Sequence, residues 1–159
     1  MQRPIFTIIS IIIIAIFLFD ERNFQKICGD TSLVNGFKRT FVHGNTQHIM
    51  ANLFAFYVLS RIEVKYGSIF FLSLIAQILV LTVLLEGLMR RFTKINCAVG
   101  WSGVLFGLAV WEIVHGKQVN NELLLAIIAM VVSPSLKNPQ ASLMGHALGA
   151  FAGFIIAQF

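Results

Sequence analysis

One serine, two histidines and an asparagine in this sequence have the types and spacings that acyl transfer requires. Ser102 stands between glycines in Gly100-Trp101-Ser102-Gly103, His146 lies in Gly145-His146-Ala147-Leu148-Gly149, and His48 precedes Asn52 by four residues. A serine hydroxyl attacks a carbonyl once an imidazole takes its proton. Histidine and asparagine side chains are recognised donors to the oxyanion that forms, and an i, i+4 pair shares one helix face. Each group also has a plainer use. Serine packs closely or bonds back to its own helix, glycine stripes join helices, and a His/Asn pair can bond across helices.

The elements that would position these groups are apolar. The 159 residues are 57% hydrophobic and only 12% charged, about half the charge of a soluble domain. The reading is one polytopic, all-α membrane domain over residues 1–159. Six apolar segments stand out, at about 4–19, 46–60, 67–88, 101–114, 122–132 and 140–159, with the charges in the breaks at 20–44, 61–66, 90–94, 116–121 and 133–139. Helices are expected throughout, since they satisfy their own backbone groups in hydrocarbon. A crossing takes about 20 residues at 1.5 Å each. Segment 4 offers about 14, roughly 20 Å, so its start at Ser102 sits roughly 10 Å below the surface. Asn52 and His146 fall roughly 10 Å and 9 Å down segments 2 and 6, which start on the same side. The three groups therefore share a depth.

Glycines say which faces meet. Gly145, Gly149 and Gly153 form a stripe on segment 6, and Gly149 and Gly153 share the face of His146. Gly103 and Gly107 form a matching stripe on segment 4. Joining the stripes would carry the imidazole to Ser102. Phe106 lies one turn past Ser102, placed to stack on that ring. A Ser-His-Asp triad is not expected, because the only aspartates are Asp20 and Asp30 in the first loop.

Other chemistries lack their residues. There is no His-Glu-x-x-His run and no cysteine pair at ligand spacing, so neither metal nor cofactor is expected. The net charge of +5 is spread over loops and suits a membrane surface rather than nucleic acid. Cys28 and Cys97 are open to a bridge or to two unpaired structural thiols. The amino end has a signal-like apolar core without a small-residue cleavage site, and reads as an uncleaved first span. Lys and Arg number eight on the odd-loop side and four on the other, or four and four without the long first loop, so charge leaves the orientation open.

Together these residues resemble the rhomboid intramembrane serine proteases. The resemblance rests on Phe41-Val42-His43-Gly44, His48-x-x-x-Asn52, Glu63-x-x-x-Gly67, Gly100-Trp101-Ser102-Gly103 and Gly-His-Ala-Leu-Gly at 145–149, in order over about residues 40–159. It implies a six-helix membrane bundle with a short, submerged fourth helix. It also implies Ser102 as nucleophile, His146 as base and then acid, and His48, Asn52 and the Ser102 N–H around the oxyanion. Gly100, Trp101, Gly103, Phe106 and Gly149 would support that site. Span 5 and the loop before span 6 would gate a transmembrane substrate, and the first loop would lie partly in the membrane surface. Two departures stand out. The Trp-Arg often found about eight residues before the first-loop histidine is Asn35-Gly36 here, with Lys38-Arg39 nearer, and Phe106 replaces a frequent tyrosine. The competing readings are a catalytically silent relative that binds membrane clients, and a transporter or haem-binding bundle built on intramembrane histidines.

Overall fold

The structure is a computed structural model that describes residues 2–19, 32–92, 99–116, 121–135 and 143–159. Among these residues it is helical and contains no strand. The helices are α1 (Pro4–Phe19), α2 (Leu33–Phe41), α3 (Thr46–Leu59), α4 (Arg61–Tyr66), α5 (Ser68–Met89), α6 (Ser102–Gly116), α7 (Asn121–Ser135) and α8 (Leu143–Ile156). Six of them coincide with the apolar segments to within a few residues. The other two, α2 and α4, occupy stretches expected as breaks. Each is short and polar, and each is held by its ends. Ser32 caps α2 by accepting the Asn35 N–H. Gly67 closes α4 at φ 90°, a left-handed backbone that suits glycine. The segment 136–142, where span 6 was expected to begin, lies outside the described residues, as do Cys28 and Cys97.

The fold buries polar groups and exposes apolar ones. Ser10, Arg39, His43, His48, Asn52, Glu63, Glu86, Ser102, Glu112 and His146 are all buried, whereas Ile11, Leu18, Ile69, Leu72, Leu125 and Phe154 are exposed. That inversion suits a hydrocarbon surround, where intramembrane polar groups turn inward. Among the described residues α5 alone is long and apolar enough to cross a membrane by itself, at 22 residues, or about 33 Å. Helices α1, α6 and α8 are apolar but shorter.

Ion pairs and caps fasten the ends of the bundle. The Glu63 carboxylate on α4 accepts the N–H groups of Ile5 (2.8 Å) and Phe6 (3.1 Å). It thereby caps the positive end of α1 from a different helix. Arg3 donates to the Tyr57 carbonyl and the Ser60 hydroxyl and lies over the Tyr57 ring. Arg61 pairs with Glu112 of α6 at 3.3 Å. At the opposite end Arg39 of α2 and Arg90, the C-cap of α5, converge on Glu86 Oε1.

Helix α6 is in contact with α3, α5, α7 and α8. Its most extensive contact is with α8, and glycine makes it so close. A Cβ on Gly149 would run into the backbone of Gly103, and one on Gly153 into that of Gly107. Ile78 of α5 fills the remaining space against Gly107. Small residues drive such packing in lipid because apolar side chains gain nothing by leaving the tails.

The contact makes a prediction. Gly149→Val should lower the thermal midpoint in detergent strongly, by more than the ~1–3 kcal/mol typical of core overpacking, because backbone rather than a side chain blocks the added methyls. Ala147→Val, on the exposed face of the same helix, should change it little. Equal effects in differential scanning fluorimetry would contradict the glycine interlock.

Candidate functional site

The site forms where α6 begins. Gly100 precedes it at φ 101°, and its N–H donates to the Arg39 carbonyl at 3.0 Å. The position of a Cβ on Gly100 lies only 2.6 Å from His48 Cε1 and 2.8 Å from His48 Nε2. Glycine is thus required both by the backbone angle and by the imidazole. Trp101 is buried between Phe41 and Phe56, at ring separations of 5.0 and 6.0 Å, and anchors the start of the helix. The α6 ladder then takes the Leu105 N–H to the Trp101 carbonyl. The first turn of a helix leaves its N–H groups without intrahelical partners.

Ser102 is the first residue of α6, and its Oγ lies 2.9 Å from His146 Nε2. Both side chains are buried. The Phe106 ring stacks on His146 with centroids 4.5 Å apart and planes at 25°. Gly103 lets α8 approach, with the Gly145 carbonyl 3.4 Å from its missing Cβ. This pair can pass a proton from hydroxyl to imidazole across one hydrogen bond, the geometry of an activated serine.

His48 and Asn52 project from α3, whose N-cap Asn45 accepts the His48 N–H at 2.8 Å. Asn52 Nδ2 donates to His43 Nε2 at 2.8 Å, and the Trp101 N–H reaches the same nitrogen at 3.4 Å. His43 Nδ1 faces the Phe41 carbonyl at 3.2 Å. These partners assign the ring proton to Nδ1 and leave Nε2 as acceptor. Burial, and then the neighbouring His48, lower the His43 pKa to about 3, so it is neutral at physiological pH. Asn52 is therefore oriented with its amide nitrogen toward His43 and 3.3 Å from the Gly100 Cβ position. His48 Nε2 is buried without a hydrogen-bond partner. Such a group is costly to leave unmatched, and it lies beside the Gly100 turn.

The structure thus brings Ser102, His146 and Phe106 into contact, and sets His48 and Asn52 against Gly100 on the turn that leads into Ser102. Gly149 seats α8 on α6. Thr82 and Glu86 took no part in the sequence argument for the site, and His43 and Arg39 entered it only through the resemblance, without a role. A cavity of about 30 Å³ beside Ser102 and His146 is lined also by Thr40, Thr82 and Glu86. Glu86 carried a readable signal, since a carboxylate inside a 22-residue apolar helix is by default a candidate for function. Arg39 lies three residues past the substituted Trp-Arg position, buried and paired with Glu86. Among the described residues no three His, Cys, Asp or Glu side chains gather to hold a metal ion.

Comparison with known proteins agrees with the motifs. The family model described as the rhomboid domain matches residues 30–159. The chain is similar to a protein of Acanthamoeba polyphaga mimivirus whose name gives the rhomboid family and no activity. The two are 34% identical over 154 residues, covering 94% of this chain and 86% of the viral one. No solved structure matches the chain.

The neutral His43 links stability to pH. Its folded pKa lies below the unfolded value near 6.5, so the unfolded chain binds more protons between these values. Its contribution is present above about pH 6.5 and is lost as pH falls toward 3. The thermal midpoint in detergent should fall over that window, and His43→Gln should flatten the dependence. An unchanged slope in the variant would contradict a buried neutral imidazole.

Proposed function

The chain belongs to the rhomboid family, and from that premise we propose that it is an intramembrane serine endopeptidase acting on transmembrane segments of other membrane proteins. The observation that carries the reading is the 2.9 Å contact of Ser102 Oγ with His146 Nε2 at a buried helix start. Six crossings are assigned to α1, α3, α5, α6, α7 and α8, with α2 and α4 at the interfaces. Helix α6 has 15 residues, about 22 Å, which supports a start sunk below the surface.

In this reading His146 Nε2 takes the Ser102 proton as Oγ attacks the scissile carbonyl. The oxyanion accepts hydrogen bonds from His48, Asn52 and the Ser102 N–H. The imidazolium gives its proton to the departing amine, and the C–N bond breaks. Water then enters, loses a proton to His146 and attacks the Ser102 ester. The ester C–O bond breaks, Oγ recovers a proton, and a carboxylic acid leaves. Gly100 keeps the oxyanion donors close to Ser102, Trp101 anchors the turn, and Gly103 and Gly149 let α8 approach. Phe106 holds the imidazole plane in place of a carboxylate, which would be costly in lipid. Helix α7, packed on α3 and α6, is the assigned gate. A segment must unwind there before its amide can be attacked. A silent client-binding relative has no need of this serine–imidazole contact.

Co-expression with a tagged panel of single-span proteins tests the reading. Ser102→Ala and His146→Ala should each abolish cleavage while insertion persists, and Phe106→Ala should lower the rate by roughly tenfold to hundredfold as imidazole alignment is lost. Cleavage by Ser102→Ala at the unmutated rate would defeat the proposal.

A further inference from the structure

Hydrocarbon accepts a bare apolar surface and penalises a carboxamide. The outer face of α5 departs from that rule at its middle. Its inner face is buried against the bundle from Phe71 to Glu86, while Ser73 and Gln77 on the outer face are exposed. In the six long helices, among the side chains described, these are the only exposed polar ones more than a turn from a helix end. Gln77 is the tenth residue of α5, about 14 Å along a helix of about 33 Å. That places its amide close to the middle of a hydrocarbon core about 30 Å thick.

The amide is only partly satisfied where it stands. Gln77 Nε2 donates to Ser73 Oγ at 3.0 Å, one turn back on the same helix. A carboxamide carries two N–H donors and an oxygen with two lone pairs. The second N–H and Oε1 therefore have no partner among the described residues, and water does not reach this depth on a lipid-facing surface. The surroundings leave room for another helix. Ser73, Ala76, Gln77, Val80 and Leu84 follow at three- and four-residue intervals on one face, and all are exposed. Ser73 and Ala76 are small and admit a close approach. Hydrogen-bonding side chains flanked by small residues are what join helices in lipid.

We propose that the Ser73–Gln77 face of α5 is the interface of a two-fold dimer of this chain. Copies of one chain insert the same way round, so the symmetry axis runs along the membrane normal. It sets one α5 beside the other at matched depth, with like residues facing each other. Gln77 then meets a second Gln77. The carboxamide is self-complementary: an N–H of each donates to the oxygen of the other, which matches the groups that one copy leaves over. An unrelated span has no built-in amide at that depth, whereas a second copy always does. The bond to Ser73 holds the side chain in place for that pairing. The inference needs only the membrane reading of the chain and is independent of the role of Ser102.

The test uses the full chain in phosphatidylcholine vesicles at low protein density. Copies labelled at the amino terminus with donor or acceptor dyes should show energy transfer. Gln77→Leu should weaken that association roughly fivefold to thirtyfold, and Gln77→Asn should weaken it less. Gln77→Leu removes a polar group from a lipid-facing position, so its thermal midpoint in detergent should not fall, which separates lost pairing from lost fold. In a chain carrying Cys28→Ser and Cys97→Ser, oxidation of Ala76→Cys should trap a disulfide dimer. Phe151→Cys, exposed on α8, should trap almost none. Unchanged association in Gln77→Leu, or cross-linking as ready at Phe151→Cys as at Ala76→Cys, would overturn the interface. A monomer in vesicles would also overturn it, whether Ala76→Cys in cell membranes then captures a different protein or the face meets lipid alone.

Discussion

Everything at the site depends on how closely two helices approach. Gly149 and Gly153 of α8 rest directly on the backbone of Gly103 and Gly107 of α6, with no room for a single added carbon. The contact is close because lipid offers no hydrophobic gain for burying larger side chains, so shape and dispersion must hold the pair. Its consequence is chemical. His146 comes from α8 and Ser102 from α6, and a hydrogen bond of 2.9 Å joins them only because nothing bulkier separates the two axes.

The rest of the molecule keeps that contact in place within an integral membrane fold. On one side α5 supplies Ile78 and Thr82 against the same glycines. On the other, α3 brings His48 and Asn52 against the Gly100 turn, and His43 sets the orientation of Asn52 through a fixed ring tautomer. Charge is confined to the ends, where it fastens helices together. Glu63 caps α1, Arg61 meets Glu112, and Arg39 and Arg90 share Glu86. Each carboxylate is buried and each has a cationic or N–H partner, as a low-dielectric surround demands.

The long apolar helices were legible because hydrophobic runs bounded by charge have one stable form in lipid. Segment 1 and α1 share the bounds 4–19, and α5 differs from segment 3 by a single residue at each end. The short helices α2 and α4 were not legible. Their sequences are polar, and their order comes from Ser32, Gly67 and contacts with α5, which hydropathy does not record. At the site, depth counting grouped Ser102, His146 and Asn52, and glycine spacing named the faces. Counting along one helix does not reveal what a neighbouring helix contributes. That is why Thr82 on α5, and the link from His43 to Asn52, emerge only from the packing.

The central claim is that His146 activates Ser102, and a serine-directed fluorophosphonate measures that activation without a substrate. Peptide mapping after reaction should find the phosphonyl group on Ser102 in the unmutated protein and almost none in folded His146→Ala protein. Absence of modification at Ser102, or equal modification without His146, would contradict it.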